Sequence, residues 1–212
     1  MPYVFIFILA LLTGCSTAYY GAMEKIGFHK RDILVYRIEK AREEQEGAKE
    51  QFKTALEKFS ALTQFHGGEL QDKYEELNAA YEASEEKAKA VRRRIADIED
   101  VAGALFEEWE AELQQYTNAS MRAQSARQLR ETKRRYQRLL AAMKRAAAKM
   151  DPVLAMFHDR VLFLKHNLNA RAIASLQSEL DTIEDNVATL IKEMERSISE
   201  ADAFIRDMRT ES

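Results

Sequence analysis

The stretch that decides the fold class is LQDKYEELNAAYEASEEKAKAVRRRIADIEDVAGALFEEWEAELQQY, residues 70–116. Steps of alternately four and three residues through it reach the heptad positions of a coiled coil, and only two of these positions are polar. The positions are Leu70, Tyr74, Leu77, Tyr81, Ser84, Ala88, Val91, Ile95, Ile98, Ala102, Leu105, Trp109, Glu112 and Tyr116. The pattern predicts one helix of roughly 70 Å at 1.5 Å per residue. Because helices in proteins are stabilised mainly by packing an amphipathic face, this stripe must lie against other helices.

The segment before this stretch follows the same rule with alternating large and small residues. Its stripe consists of Leu34, Ile38, Ala41, Gln45, Ala48, Phe52, Ala55, Phe59 and Leu62. His66-Gly67-Gly68 then interrupts the pattern, and glycines are common where a helix ends and the chain reverses. The two segments are therefore predicted to form a long antiparallel hairpin.

Two further reversals follow along the chain. Thr117-Asn118-Ala119-Ser120 offers helix-capping side chains and predicts a third helix up to Met150.

Asp151-Pro152 has the pattern of an N-cap followed by proline at the first position of a new helix. The following segment 153–168 is strongly apolar, which favours a place in the core over a docking surface. Asn167 and Asn169 mark the next break.

The last predicted helix again has heptad spacing. Its positions are Ile173, Leu176, Leu180, Ile183, Val187, Leu190, Met194, Ser197, Ala201, Phe204 and Met208, of which only Ser197 is polar. The composition agrees, with 32% charged residues, 7 glycines and 2 prolines. The predicted fold is all-α, with long antiparallel helices in a coiled-coil-like four-helix bundle whose third rod is kinked near Pro152. A separate packing of the kinked piece is the alternative.

The first residues have the pattern of a secretory signal. Residues 2–12 are almost entirely apolar but too few to cross a bilayer as a helix. Leu12-Thr13-Gly14-Cys15 follows and resembles the lipobox of bacterial lipoproteins, in which the cysteine is lipidated and the chain is cut before it. We expect a signal peptide over 1–14, a lipid-anchored tether over 15–21 and one helical domain over 22–209. The usual basic residues before the apolar run are missing.

Localisation follows from the same segment. Cys15 is the only cysteine in the chain, so no disulfide competes for it. Ser16 follows it, and the absence of an aspartate there favours the outer membrane over the inner one. The expected place is therefore the periplasmic side of the cell envelope.

Charge is distributed unevenly along the chain. Residues 69–112 contain 14 acidic and 6 basic side chains, whereas residues 122–149 contain 10 basic side chains and only Glu131 as an acid. Antiparallel packing would set these opposite charges side by side. The alternative is a basic surface for anionic lipid or cell-wall polymers on the helix 122–149. Nucleic acid is not expected, because an exported protein seldom meets it.

No pattern in the sequence predicts catalysis. Its four histidines form no i,i+4 pair, and a second cysteine, a phosphate-binding glycine loop and a nucleophile elbow are missing. We therefore expect no enzyme, no metal, no cofactor and no small-molecule substrate. Two polar clusters are candidate interaction sites, namely His29, Lys30, Arg31 and Asp32, and Lys165, His166, Asn167, Asn169 and Arg171. Our hypothesis is that they meet at one end of the bundle, and the alternative is helix capping with buried polar contacts.

Several segments together resemble one known family. They are Tyr20, EKIGFHKRDILV at 24–35, KEQFK at 49–53, LFEEWEAEL at 105–113 and the segment 164–175. They are similar to the Domain-of-Unknown-Function 2959 family over essentially all of the chain after the signal. The resemblance implies a helical protein of the bacterial envelope, often with a lipobox, and it supplies no catalytic residues.

Taken together, these patterns predict a membrane-tethered helical structural or interaction lipoprotein. The stripe and the proposed anchor on Cys15 suggest contact with the membrane and with an envelope protein or a second copy of the chain. The second hypothesis is the lipid-binding or cell-wall-binding module that uses the basic helix 122–149.

Overall fold

The computed structural model describes Tyr20, residues 29–64 and residues 70–210, with only the backbone at Ala170. Within these residues the chain forms five helices and no strand. They are α1 (Lys30–Thr63), α2 (Leu70–Glu112), α3 (Ala119–His166), α4 (Ala170–Gln177) and α5 (Leu180–Thr210). The predicted all-α class is confirmed. The predicted leader and Cys15 lie outside the described residues, as does the reversal at His66-Gly67-Gly68.

The long helices form an antiparallel four-helix bundle. Helix α1 packs against α2 and α5, and α3 packs against the same two helices, so α1 and α3 lie on one diagonal. The short helix α4 packs against α1. We call the end where α1 begins and α2 ends the proximal end, and the other the distal end. The ion pair Lys30–Glu108 between α1 and α2 lies at the proximal end.

The stripe predicted in α1 forms the centre of the core. All nine predicted positions of α1 are buried, including the polar Gln45. In the last predicted helix every position except the half-buried Leu180 is buried as well. Burial of these side chains, at about 25 cal/mol per Å² of apolar surface, is the main force that holds the helices together.

The heptad stripe predicted for α2 continues beyond the last buried turn of the helix. Helix α2 ends at Glu112, and both Glu112 and Tyr116 are exposed, so these two core positions were predicted wrongly. The backbone tightens there, because the amides of Gln114 and Gln115 bond carbonyls three residues back at 3.2 and 2.9 Å. Conversely, Val101 is buried although the heptad count omits it. A four-helix core buries a wider face than two heptad positions.

Helix α3 begins where the sequence predicts. The side chain of Asn118 accepts bonds from the amides of Ser120 and Met121 at 2.9 and 3.1 Å, which caps the first turn. The prediction of a new helix at Pro152 was wrong, because Pro152 lies inside one continuous helix. Its buried stripe continues in the same register on both sides of the proline, through Met150 and Val153. That packing compensates for the backbone hydrogen bond that a proline removes.

The apolar segment 153–168 divides between core and surface. Val153, Phe157, Val161 and Leu164 are buried at helical spacing, which confirms the core prediction for one face of α3. On the opposite face, Leu162 and Phe163 are 52% and 43% exposed. The segment 153–168 is therefore apolar on most of its faces but is not buried on all of them.

The break at Asn167 and Asn169 is confirmed, but the last predicted helix is interrupted once more. Ser178 and Glu179 form a turn between α4 and α5. Arg160 of α3 donates to the carboxylate of Glu179 at 2.9 Å and holds this turn against the bundle. No helix in the described residues is both long enough and apolar enough to span a membrane.

Candidate functional site

The proximal candidate cluster is built into the bundle. Lys30 is 9% exposed, and its ammonium pairs with Glu108 of α2 at 2.9 Å. Arg31 donates to the backbone carbonyl of Met208 at the end of α5. His29 is the exposed N-cap residue of α1, and Asp32 is exposed in the first turn. Two of the four predicted residues therefore fasten α1 to its neighbours, and two face solvent.

The distal candidate cluster consists mainly of helix-end contacts. Asn167 donates to the carbonyl of Phe163 at 2.9 Å, and Asn169 accepts from the amides that begin α4. The other three predicted members, Lys165, His166 and Arg171, are exposed. This arrangement fits the capping role that we weighed as the alternative.

The two clusters lie at opposite ends of the bundle, so the hypothesis that they meet was wrong. The reason is the number of helices between them. The start of α1, the α2–α3 reversal and the last residues of α5 all lie at the proximal end of the bundle. The reversal after α3 lies at the distal end. Helix α1 alone, with 34 residues, separates the two clusters by about 50 Å at 1.5 Å per residue.

The predicted charge complementarity between α2 and α3 is confirmed on one flank of α3. Lys133 pairs with Glu110 at 2.5 Å, and Lys144 pairs with Glu99 at 2.5 Å. Toward α5, Arg135 pairs with Asp207 at 3.6 Å. These pairs explain part of the basic content of α3 as contacts within the bundle.

A second group of basic residues on α3 forms no ion pair with a neighbouring helix among the described residues. Arg127, Arg130, Arg134 and Arg138, which we call the outer arginine row, are all exposed on the side away from the core. Only Arg134 forms an ion pair among the described residues, with Glu131 of the same helix at 4.0 Å. Neighbouring members are three or four residues apart, so they follow one edge of the helix. The sequence count of charges could not separate this row from the paired residues.

A buried polar layer lies in the middle of the bundle. Gln45 of α1 and Ser197 of α5 are both fully buried, and neither amide atom of Gln45 nor the hydroxyl of Ser197 has a hydrogen-bond partner in the described part of the chain. Ion pairs on either side connect the same two helices, Arg42–Asp202 at 3.4 Å and Lys49–Glu195 at 4.0 Å. Both polar side chains therefore occupy the same interval of the α1–α5 interface.

Tyr20 is a functional candidate that sequence reasoning missed, since we used it only for the family resemblance. Its side chain is completely buried and its hydroxyl donates to the carboxylate of Asp100 on α2. The guanidinium of Arg37 donates to the same hydroxyl at 2.9 Å and lies 5.6 Å from the ring centre. Burial, followed by the hydrogen bond to Asp100, raises the pKa of Tyr20 to about 12.

The described residues contain no group of three or more metal-ligating side chains. The features that stand out are the exposed outer arginine row, the buried polar layer and the docked Tyr20. All three belong to one helical rod. The class of protein is thus an all-α bundle of long antiparallel helices with Tyr20 docked on its side.

Comparison of the chain with models of known protein families identifies its family. The chain belongs to the family described as "Protein of unknown function (DUF2959)", whose family model matches residues 19–208. The match begins one residue before Tyr20 and covers nearly all of the described bundle. We find no match to a curated protein and none to a solved structure.

Proposed function

We propose that this protein is a structural or interaction lipoprotein of the bacterial cell envelope, held on the periplasmic side of a membrane by lipid on Cys15. The observation that carries the proposal is the lipobox-like sequence Leu12-Thr13-Gly14-Cys15 ahead of the helical bundle. Because α1, α2, α3 and α5 bury their stripes against one another, the outer surfaces of the rod are what it offers to partners. A partner, whether an envelope protein or a second copy of the chain, would therefore contact the outer surface and not the stripes.

The anchor is supported by the sequence around the cysteine. The thiol of Cys15 would form a thioether to the diacylglyceryl group of a membrane phospholipid, as the glyceryl carbon–oxygen bond to the phosphate headgroup breaks and the headgroup leaves with the thiol proton. Hydrolysis of the peptide bond after Gly14 would then remove the leader. Several acyl chains make such attachment stable, whereas one chain binds reversibly, since each buried CH₂ contributes about 0.8 kcal/mol. Ser16 favours the outer membrane as the final place.

The test of the anchor is metabolic labelling of the full chain with radioactive palmitate. We expect label on the wild type and none on Cys15→Ser, because the serine hydroxyl replaces the thiol that would carry the lipid. Thr17→Ala is the matched control two residues further on and should be labelled like the wild type. Label on Cys15→Ser, or a wild type without label, contradicts the proposed anchoring.

The partner is identified by crosslinking in living cells on a C-terminally tagged copy of the chain. Mass spectrometry of the crosslinked species then shows which protein lies against the rod. A reproducible envelope protein, or a second copy of the chain, supports the interaction role. Crosslinks to neither would contradict it and leave the lipid or the cell wall as the contact of the outer surface.

A second candidate function is binding of anionic lipid or cell-wall polymers through the basic helix 122–149. The specific observation in its favour is the outer arginine row, because exposed guanidinium groups with few acidic partners are suited to phosphate and carboxylate groups. The row itself consists of charged side chains, so binding would depend on charge and weaken with salt.

This candidate is tested by sedimentation with anionic vesicles and with purified cell wall at low and high salt. The variant replaces Arg127, Arg130, Arg134 and Arg138 with glutamine. The control variant also replaces four basic residues with glutamine, so both variants lose the same positive charge. These four are exposed on α2 and α5, namely Lys89, Lys192, Arg196 and Arg206. Equal binding by both variants contradicts a role for the row.

A further inference from the structure

The exposed charges of the rod differ in sign between helices. On α3, nine exposed lysine and arginine residues outnumber three exposed acidic residues, Glu131, Asp151 and Asp159. On α1 the sign is reversed, because every exposed charged residue of this helix is acidic. These residues of α1 are Asp32, Glu43, Glu46, Glu50 and Glu57. Opposite charges therefore predominate on two helices that lie diagonally across the bundle from each other.

The exposed acids of α1 continue onto the neighbouring part of α2. Residues 43–57 of α1 contain five acidic and two basic side chains, and residues 72–86 of α2 contain six acidic side chains and one basic side chain. The ion pairs Lys58–Glu76 at 3.0 Å and Lys87–Glu44 at 3.5 Å hold these two segments side by side. We call their exposed acids the acidic surface, which consists of Glu43, Glu46, Glu50, Glu57, Asp72, Glu75, Glu82 and Glu86.

Neighbouring lysines compensate only half of the acidic surface. Four of its members each pair with a lysine three residues away in the same helix, at 2.7–2.9 Å. The remaining four form no ion pair within the described part of the chain, namely Glu57, Asp72, Glu75 and Glu82. The acidic surface therefore keeps a net negative charge.

The acidic surface and the outer arginine row are too far apart to compensate each other within one molecule. The row lies in the first half of α3, toward the proximal end, whereas the acidic surface lies toward the distal end of α1 and α2. A helix with its side chains is about 10–12 Å across, and charges in water are screened over about 10 Å at 0.1 M salt. Each surface is thus left to attract an opposite charge from outside the molecule.

We propose that the acidic surface binds the outer arginine row of a second copy of the chain. The inference rests on the proposed interaction role and deepens it, because it names the partner. Guanidinium groups can bind carboxylates through two parallel hydrogen bonds, so arginine is well suited to such a contact. Since the two surfaces lie toward opposite ends of the rod, the two copies contact side by side and run in opposite directions.

This contact uses different surfaces on the two copies. After it forms, one copy still has a free arginine row and the other a free acidic surface, so further copies can add. The association therefore produces a row of copies instead of a closed two-fold dimer. Because the contact consists of exposed charges, it should weaken as salt increases.

The experiment is analytical ultracentrifugation of the full chain in a non-ionic detergent. We expect species larger than a dimer at low salt. Between about 0.05 M and about 0.5 M salt, the association constant should fall about tenfold or more, because the charges become screened. A wild type that stays monomeric at low salt overturns the inference.

Two variants, each with one surface removed, test which surfaces meet. The first replaces Arg127, Arg130, Arg134 and Arg138 with glutamine, and the second replaces Glu50, Glu57, Glu75 and Glu82 with glutamine. Each variant alone should self-associate about tenfold or more weakly than the wild type, since several exposed ion pairs are lost together. Mixed in equal amounts, the two should form a dimer and nothing larger, because each provides the surface that the other lacks. Failure of the mixture to associate overturns the pairing of these surfaces.

Control variants remove the same number of charges elsewhere. The acidic control changes four exposed residues of α5 to their amides, namely Asp181, Glu184, Asp185 and Glu195. The basic control changes four exposed residues of α2 and α5 to glutamine, namely Lys89, Lys192, Arg196 and Arg206. Both should associate like the wild type. Equal losses in the controls overturn the inference, because they would reflect net charge and not the two surfaces.

The outcomes separate this inference from the proposed interaction role. A monomeric wild type that is crosslinked in cells to an envelope protein overturns the contact between copies and leaves the interaction role intact. A monomeric wild type that sediments with anionic vesicles or cell wall through the outer arginine row also overturns it, and assigns the row to those polyanions.

Discussion

The middle of the bundle and the region toward its distal end are equally buried but packed differently. Near the distal end, Phe59 and Phe157 meet edge to face with ring centres 6.4 Å apart, and both are fully buried. In the middle, Gln45 and Ser197 are equally buried but lack hydrogen-bond partners among the described residues. The heptad pattern thus predicts which positions are buried, whereas the energetic effect of burial depends on the chemistry of each layer.

The polar layer should make the middle of the bundle its energetically weakest part. A buried polar group without a partner costs about 1–3 kcal/mol, whereas an aromatic pair stabilises by about 0.5–1.5 kcal/mol beyond its buried area. A polar residue in a helical core can also select one register of the helices over others. The predictions below test this contrast in order of decreasing effect.

Removal of an aromatic ring should have the largest effect. Phe157→Ala would leave a cavity opposite Phe59, and such changes cost about 3–5 kcal/mol of unfolding free energy. Urea denaturation followed by circular dichroism measures the loss. Phe163→Ala on the exposed side of the same helix is the control and should cost far less. Equal losses at both positions would contradict the assigned core.

Substitution in the polar layer should act in the opposite direction. Gln45→Leu removes two buried polar atoms without partners and should stabilise the bundle by about 1–2 kcal/mol. The same denaturation measurement tests it, with the exposed Gln137→Leu as the control. A loss of stability in Gln45→Leu would mean that the amide has a partner such as an ordered water. In that case the contrast between the layers disappears.

Much of the fold could be predicted from the sequence because heptad spacing is a local property of each helix. All nine predicted positions of α1 are buried, and the cap at Asn118 depends only on adjacent residues. Pro152 was misjudged because its helix is maintained by packing against other helices, which no local signal reports. The same applies to the turn at Glu179, which depends on Arg160 from α3.

The candidate surfaces were harder to predict than the fold. The basic content of α3 was evident, but its division into paired lysines and an outer arginine row depends on which helices lie next to α3. The docking of Tyr20 on Asp100 joins residues 80 positions apart in the sequence. We expected the two polar clusters to meet because antiparallel packing brings helix ends together. The number of helices between them places them at opposite ends of the bundle.

Alkaline pH should weaken the aromatic region around Phe106 and Tyr136, whose ring centres are 5.4 Å apart. Burial, with a smaller effect of Glu99, raises the pKa of Tyr136 to about 12 from its usual value of 10.0. The folded state therefore binds the phenol proton more tightly than the unfolded state. This contribution to stability is complete below pH 10 and is lost as pH rises toward about 12.

The measurement compares the unfolding free energy of the wild type and of Tyr136→Phe over this pH range. Tyr20 also has a raised pKa, but it is present in both proteins, so the difference between them isolates Tyr136. We expect the wild type to lose stability relative to Tyr136→Phe as pH rises. A constant difference would mean that the phenolate is accommodated without cost and that this region is less tightly packed than the one at Phe157.

The smallest effect is expected for the ion pair between Lys144 and Glu99 on the α2–α3 flank. Its side chains are 53% and 40% exposed, and such pairs contribute roughly 0.2–1 kcal/mol, less as salt increases. A double-mutant cycle with Lys144→Ala and Glu99→Ala measures this coupling. If it exceeded the gain from Gln45→Leu, surface charge and not core chemistry would determine the stability of the middle of the bundle. If it stays small, the charges of α3 contribute little to folding, and their distribution is better explained by what the outer surface binds.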